Sequence, residues 1–200
     1  MAADYLAAHP DAGWVYGVPV PVDTAGNPFP YRDDPEPWDY KRLLAINFIT
    51  QPAVFLRREV FETAGPLDEA LYYTMDYEYW LRIGRQFPGH YVPQIRAVVT
   101  YNRQTKSATG GIPRLIEMEA VVRKHGGTQM PLSNQYEWVS ASLLACITSI
   151  GRGRLGEAWH HFKGIFRFPR RIPRALLKLI VVGILPLKWE ARLRQLLLRD

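Results

Sequence analysis

The chain has 200 residues, a formal net charge of +6 and a hydrophobic fraction of 48%. These values exclude a disordered chain, which has fewer apolar residues and a larger charge imbalance, and 15 Gly and 16 Pro are too few for a collagen-like chain. The single Cys146 excludes a disulfide framework and a zinc site built from several cysteines. The composition therefore predicts a globular chain with a core of its own.

The charge is distributed unevenly along the chain. Residues 151–200 carry 12 Lys or Arg against 3 Asp or Glu, whereas residues 1–150 carry 13 against 16. A nearly neutral body followed by a strongly basic tail predicts two parts with different partners. We place the first domain at 1–130 and a basic amphipathic helical tail at 131–200.

The sequence of the first domain predicts helices and strands that alternate along the chain. In chain order the predicted elements are a helix at 2–8, a strand at 14–18, a proline-rich loop at 23–37, a strand at 46–55, helices at 59–64 and 73–86, strands at 90–95 and 97–101, and a helix from Gly110 to His125. This alternation indicates an α/β fold.

After about residue 134 the strand signals stop. Four helices are predicted, at 138–150, 155–166, 173–185 and 187–199, and they form an all-α appendage. The longest apolar run, 179–187, has nine residues, whereas a membrane-spanning helix needs about 20. The sequence therefore predicts no membrane crossing.

The helix at 73–86 carries the residues that point to chemistry. Thr74 is a plausible N-cap, and Asp76 then lies in the first turn, where the helix dipole favours a carboxylate by ~0.3–1 kcal/mol. Trp80, one turn later, lies on the same face. A carboxylate beside an indole suits a general base that takes a proton from a sugar hydroxyl. Glu78 and Arg82 have the i, i+4 spacing of a structural ion pair.

The order of these pieces resembles the C-terminal half of family 2 glycosyltransferases, which are inverting enzymes with the GT-A fold. The segment Gly65-Pro66-Leu67-Asp68-Glu69 matches that family's G-x-[LF]-D-E turn. The segment Asp76-Tyr77-Glu78-Tyr79-Trp80-Leu81-Arg82 matches its E-D-x-[DE]-[LY]-W-x-x-R motif from the second position onward, and Met75 replaces the first acidic residue. The resemblance covers roughly residues 2–127 and implies a partial GT-A mixed sheet with helices.

The resemblance implies roles for particular residues. It makes Asp76 the general base and places Gln51 and Trp80 at the acceptor pocket, although a polar residue at a strand end and a core tryptophan are equally good interpretations. The stretch with Arg103, Lys106 and Ser107 is a candidate donor loop, since basic side chains and backbone amides can contact a diphosphate. The implied reaction moves a sugar from a nucleotide-sugar donor to an acceptor hydroxyl, in cell-surface polysaccharide or glycolipid synthesis.

The donor-binding half of such an enzyme, with its D-x-D motif, is expected before residue 1. The resemblance thus implies that this chain is a fragment that binds no donor by itself, and that the divalent metal of the intact enzyme, Mg or Mn, has its ligands outside it. Four acidic residues of the proline-rich loop could suggest a metal site inside the chain, but the prolines favour a solvated loop. They are Asp33, Asp34, Glu36 and Asp39.

The basic tail has three possible partners. Its charges alternate with apolar residues such as Phe162, Ile165, Phe166 and Phe168, which makes it too apolar for a nucleic-acid arm. An anionic membrane surface fits better, and a plain packed helical appendage is the second possibility. We therefore expect a cytoplasmic protein, peripheral to the inner face of the membrane. The competing function is a non-catalytic membrane-peripheral module that binds a carbohydrate or a protein.

Overall fold

A computed structural model describes residues 1–28, 35–102, 105–173 and 175–176. The chain divides into two compact units, residues 1–131 and 132–200. From the sequence, the boundary between the two domains is predicted at residue 130.

The first unit is mixed α/β. In chain order its helices and strands are α1 Ala2–Ala8, β1 Trp14–Val22, α2 Tyr40–Ala45, β2 Val54–Leu56, α3 Arg58–Ala64, α4 Met75–Gly84, β3 Gly89–Thr100, α5 Lys106–Thr109 and α6 Gly111–Lys124. The α/β class that the sequence predicts is confirmed.

The three strands form one mixed sheet in the order β2-β1-β3. The central strand β1 runs antiparallel to β2 and parallel to β3. Strand β2 covers only Trp14–Tyr16 of β1, so the remainder of β1 has β3 as its one neighbour in the described sheet. Pro19 and Pro21 lie in that part. A proline has no backbone N–H, and on the unpaired side of the strand no hydrogen bond of the sheet needs one.

Alternate residues of β1 face the two sides of the sheet. Val15 joins a small cluster with Val92 and Ile95 of β3, against which α1 packs. Trp14 and Tyr16 belong to the main core on the other side. Most of α4 contributes to that core, which also includes residues of α2, α3 and α6. The sheet therefore lies between α1 and the main core, and α4 is the central helix of the unit.

Two strand predictions were wrong. Of the strand predicted at 46–55, only Val54 and Phe55 belong to a strand, β2, because Pro52 sits in a 3-10 turn at Gln51–Ala53, a geometry for which its fixed backbone angle is suited. The two strands predicted at 90–95 and 97–101 are one strand, β3, which keeps its pairing to β1 through a register shift between Tyr16 and Val18. A bulge absorbs the irregularity without ending the strand.

The second unit is helical in its described part. Helix α7, Leu132–Gly151, is followed after three residues by α8, Leu155–Ile165, and by a 3-10 turn at Pro169–Arg171. Trp138 Nε1 donates to the Gly164 carbonyl at 2.9 Å, and Ser149 Oγ donates to Glu157 at 3.5 Å, so the two helices run antiparallel. The predicted helix at 187–199 and most of the one at 173–185 lie outside the described residues.

No helix in the described part of the chain has both the length and the apolar character needed to cross a membrane.

At Gly17, strands β1 and β3 approach each other too closely for a side chain. A Cβ at this position would lie 2.1 Å from the Ile95 carbonyl oxygen and 2.6 Å from the Ile95 Cβ. We expect Gly17→Ala to lower the free energy of unfolding by about 1–3 kcal/mol through overpacking. Urea unfolding followed by circular dichroism measures the change. Gly156→Ala is the matched control, since a Cβ there meets no atom within 4 Å, and a stability loss of equal size in both variants would contradict the steric argument.

Candidate functional site

Asp76 lies in the first turn of α4, half-buried, as the helix signals predict. Its Oδ1 accepts a hydrogen bond of 2.7 Å from the backbone N–H of Tyr77. Burial raises the pKa of Asp76, and the backbone hydrogen bonds only partly oppose this effect. A carboxylate that is harder to ionise than usual is a stronger base once it is ionised, which suits the removal of a proton from a hydroxyl.

The segment that leads into Asp76 is held by a carboxylate from another helix. Glu117 of α6 accepts hydrogen bonds of 3.0, 2.7 and 2.7 Å from the backbone N–H groups of Tyr72, Tyr73 and Thr74. The Thr74 hydroxyl, expected to cap α4 itself, instead donates to Glu117 at 2.7 Å. Burial opposes the ionisation of Glu117, but these hydrogen bonds outweigh it and hold its pKa below the ordinary value. Glu117 therefore holds the segment that leads into α4, up to and including its N-cap residue Thr74.

Part of the predicted donor loop meets the same segment. Lys106 of α5 places its Nζ 3.9 Å from the centre of the Tyr72 ring. A Cβ at Gly110 would lie 2.8 Å from the Tyr73 ring, so glycine is needed for this approach. The structure thus brings Lys106 beside the residues that precede Asp76. Arg103 and the Ser107 side chain lie outside the described residues.

Glu78, two residues after Asp76, has a very different environment. Its residue is fully buried, and its carboxylate contacts Arg82 Nη2 at 3.0 Å, Lys124 Nζ at 3.1 Å and His125 Nε2 at 3.1 Å. Burial alone would raise the pKa of Glu78, but the hydrogen bonds from Lys124, Arg82 and His125 outweigh it and lower the pKa. Glu78 is a structural anion, and the ion pair expected with Arg82 is present.

His125 completes this cluster as a neutral ring. Burial lowers the pKa of His125 in spite of the attraction of Glu78, so we assign the ring proton to Nε2, which donates to the Glu78 carboxylate. Its Nδ1 is buried and has no hydrogen-bond partner among the described residues.

Arg82 connects the same cluster to the turn that precedes α4. Its guanidinium donates to the Pro66 carbonyl at 2.9 Å and to the Ala64 carbonyl. Gly65, between them, has φ +76°, a left-handed conformation that favours glycine. Lys124 also contacts Asp68 at 3.3 Å. The turn motif and the acidic motif that the sequence analysis identified are therefore joined physically, through Glu78, Arg82 and Lys124.

The two residues predicted at the acceptor pocket lie in different surroundings. Trp80 is 4% exposed and stacks on Trp14, with ring centres 5.8 Å apart, so its ring is part of the core. Its Nε1 is buried without a hydrogen-bond partner in the described part of the chain. Gln51 is exposed at the start of the 3-10 turn, and within the described ranges no hydrogen bond or ion pair connects it to Asp76.

A divalent metal does not fit the described residues. Across residues 1–28, 35–102, 105–173 and 175–176, no group of three or more His, Cys, Asp or Glu side chains is arranged to hold a metal ion. Of the acidic loop, Glu36 pairs with Arg42 at 2.6 Å and Asp39 accepts from the Arg42 backbone N–H at the start of α2. Asp33 and Asp34 lie outside the described residues.

The sequence analysis missed Glu117 and the role of Lys124. The contact of Glu117 with Thr74 spans 43 residues, and that of Lys124 with Glu78 spans 46, so neither has a local sequence signal.

Neither a scan against protein-family models nor a search of curated proteins finds a match for this chain.

The substitution Glu117→Gln tests whether Glu117 holds the segment that leads into α4. The variant loses the charge that strengthens four hydrogen bonds, so we expect the free energy of unfolding to fall by about 1.5–3 kcal/mol. The backbone N–H groups of Tyr72, Tyr73 and Thr74 should also exchange with deuterium markedly faster. Glu62→Gln, on the exposed face of α3, is the matched control. Unchanged exchange at Tyr72–Thr74 would show that Glu117 does not hold this segment.

The Glu78 cluster predicts a dependence of stability on pH. The pKa of Glu78 is lower in the folded state than its ordinary value of 4.5, so the unfolded chain takes up the proton first. The stability from Glu78 is therefore complete above pH of about 4.5 and is lost as the pH falls toward the folded pKa. Urea unfolding between pH 3 and 7 should give a shallower acid decline for Glu78→Gln than for the natural chain. Glu59→Gln should retain the natural decline, and identical slopes for all three proteins would refute the assignment.

Proposed function

We propose that this chain is the acceptor side of an inverting glycosyltransferase that resembles family 2, with Asp76 as its general base. The observation that carries the proposal is the environment of Asp76: a half-buried carboxylate with a raised pKa, in the first turn of a helix whose entrance is held by Glu117. The order of the turn motif and the acidic motif supports it, because both meet at α4.

In the proposed reaction Asp76 removes the proton from an acceptor hydroxyl. The hydroxyl oxygen attacks the anomeric carbon of the donor sugar from the side opposite the leaving group, and the bond from that carbon to the nucleoside diphosphate breaks. The new glycosidic bond has the inverted configuration, the nucleoside diphosphate leaves with the bonding electrons, and the proton stays on Asp76. Glu78 takes no part in this transfer, since three donors hold its carboxylate in the structural cluster.

Lys106 has a proposed place on the donor side of the same site. Its ammonium group lies over the Tyr72 ring, next to the segment that Glu117 holds, and a cation there suits the negative charge of a departing diphosphate. The proposed acceptor is a carbohydrate or a lipid-linked saccharide.

The test of the function is a transfer assay on the product of the complete open reading frame that encodes this chain. A panel of nucleotide sugars is offered with saccharide acceptors, and release of the nucleoside diphosphate is measured. Asp76→Asn keeps the size of the side chain but cannot accept the proton, so kcat should fall by about 10²–10⁴, while donor binding measured by calorimetry stays largely intact.

Asp11→Asn is the matched control, because Asp11 is exposed on the segment between α1 and β1 and has no role in the proposed reaction. Turnover of Asp76→Asn at the natural rate would refute the role of Asp76. If no donor of the panel is turned over by the natural protein, the enzyme proposal fails and the non-catalytic binding module becomes the better explanation.

A further inference from the structure

Helix α8 exposes a continuous apolar stripe. Leu155, Trp159, Phe162 and Phe166 follow one another at intervals of four, three and four residues, which places them on one face of the helix. They are 70%, 59%, 41% and 56% exposed. The Trp159 and Phe162 rings are stacked with centres 5.5 Å apart, and the Phe162 and Phe166 rings meet edge to face at 5.2 Å. Three aromatic rings therefore form one exposed surface.

Helix α7 carries exposed aliphatic side chains at the same levels along the hairpin as the apolar stripe of α8. Leu144, Ile147 and Ile150 are 56–59% exposed. The contacts of Ser149 with Glu157 and of Trp138 with Gly164 set the register, which places these three residues at about the levels of Phe162, Trp159 and Leu155. The exposed apolar residues of α7 and α8 are here called the hairpin patch. A soluble monomer rarely leaves so many neighbouring apolar side chains in water unless they bind something.

The hairpin patch has a positively charged surround. Between residues 132 and 176 the described acidic side chains are Glu137 and Glu157, and Glu157 is paired with Arg154. The described basic side chains of the same stretch are Arg152, Arg154, Lys163, Arg167, Arg170 and Arg171. Lys163 Nζ lies 5.9 Å from the centre of the Trp159 ring, so a charge of this set borders the aromatic rings directly.

Two residues of the tail that looked available for binding are not. Ile165 is 5% exposed and packs with Val139 and Ala175, and Phe168 is partly buried against that cluster. The hairpin therefore has its own small core, and the hairpin patch is a separate set of side chains. Within the described part of the hairpin, these apolar side chains are exposed and can contact an outside partner.

We propose that the hairpin patch is an in-plane docking surface for an anionic lipid bilayer. Trp159 enters the boundary between headgroups and acyl chains, where its amphipathic indole is favoured, and Phe162 and Phe166 bury their apolar rings beside it. Lys163 and its basic neighbours extend to the lipid phosphates, with their aliphatic stems along the apolar surface. Charge complementarity selects this occupant, since a neutral protein surface offers no negative charge to Lys163 beside the Trp159 ring, and a nucleic acid offers the rings no apolar environment. The proposal is independent of the glycosyltransferase function.

The test is co-sedimentation of the 200-residue chain with vesicles. Vesicles with 30% phosphatidylglycerol in phosphatidylcholine should bind the chain at least about tenfold more tightly than phosphatidylcholine alone, and 0.5 M NaCl should weaken that binding, because surface charges are screened. The double variant Trp159→Glu/Phe162→Glu should lose at least about tenfold in binding. Ile116→Glu, on the exposed side of α6, is the matched control and should bind like the natural chain.

The contribution of Lys163 is tested in the same vesicle assay. Lys163→Glu should bind anionic vesicles more weakly than the natural chain, whereas Lys41→Glu, the control in α2, should bind like the natural chain. Fluorescence provides a measurement that does not depend on a charge placed in the patch. Vesicles with brominated acyl chains should quench part of the tryptophan emission of the natural chain, and Trp159→Phe should remove most of the quenchable part.

Three results would overturn the proposal. The first is equal binding to neutral and anionic vesicles. The second is binding of Trp159→Glu/Phe162→Glu at the natural level. The third is a dimer in light scattering that dissociates in that double variant, which would show that a second copy of the chain covers the hairpin patch.

Discussion

A carboxylate that is removed from water needs donors around it, and the Glu78 side chain collects three of them. Arg82 comes from the next turn of α4, whereas Lys124 and His125 come from the end of α6. Because Arg82 also binds the carbonyls around Gly65, the same anion ties the turn before α4 into the arrangement. The Glu78 carboxylate thus joins α4, the end of α6 and the turn before α4, and these helices carry Asp76 and Glu117.

The two acids of one short motif show how environment divides similar groups. Asp76 and Glu78 are two residues apart, so about 200° of helix rotation separates them. Asp76 faces a half-buried site with few donors, and its pKa rises, whereas Glu78 faces three donors in the core, and its pKa falls. One acid is thereby suited to exchange a proton and the other to hold a structure.

The second unit buries only part of its apolar side chains in the part that the structure describes. Its antiparallel hairpin keeps a small core around Val139 and Ile165, and Trp138 closes it through a hydrogen bond to the Gly164 carbonyl. That core leaves three aromatic rings of α8 outside it. The basic composition of this part of the chain is reflected in the structure, where Lys163 lies beside the exposed aromatic rings of α8.

Much of the local structure was determined by the sequence itself. The alternation of helix and strand patterns predicted the α/β class, and the i, i+4 spacing of Glu78 and Arg82 predicted their ion pair, since these signals act over a few residues. Tertiary structure decided the rest. Glu117 and Lys124 reach α4 across more than 40 residues of chain, and no local pattern records such a contact. The two strands predicted at 90–95 and 97–101 are one strand for the same reason, because strand pairing, unlike helix formation, depends on partners that are distant in the sequence.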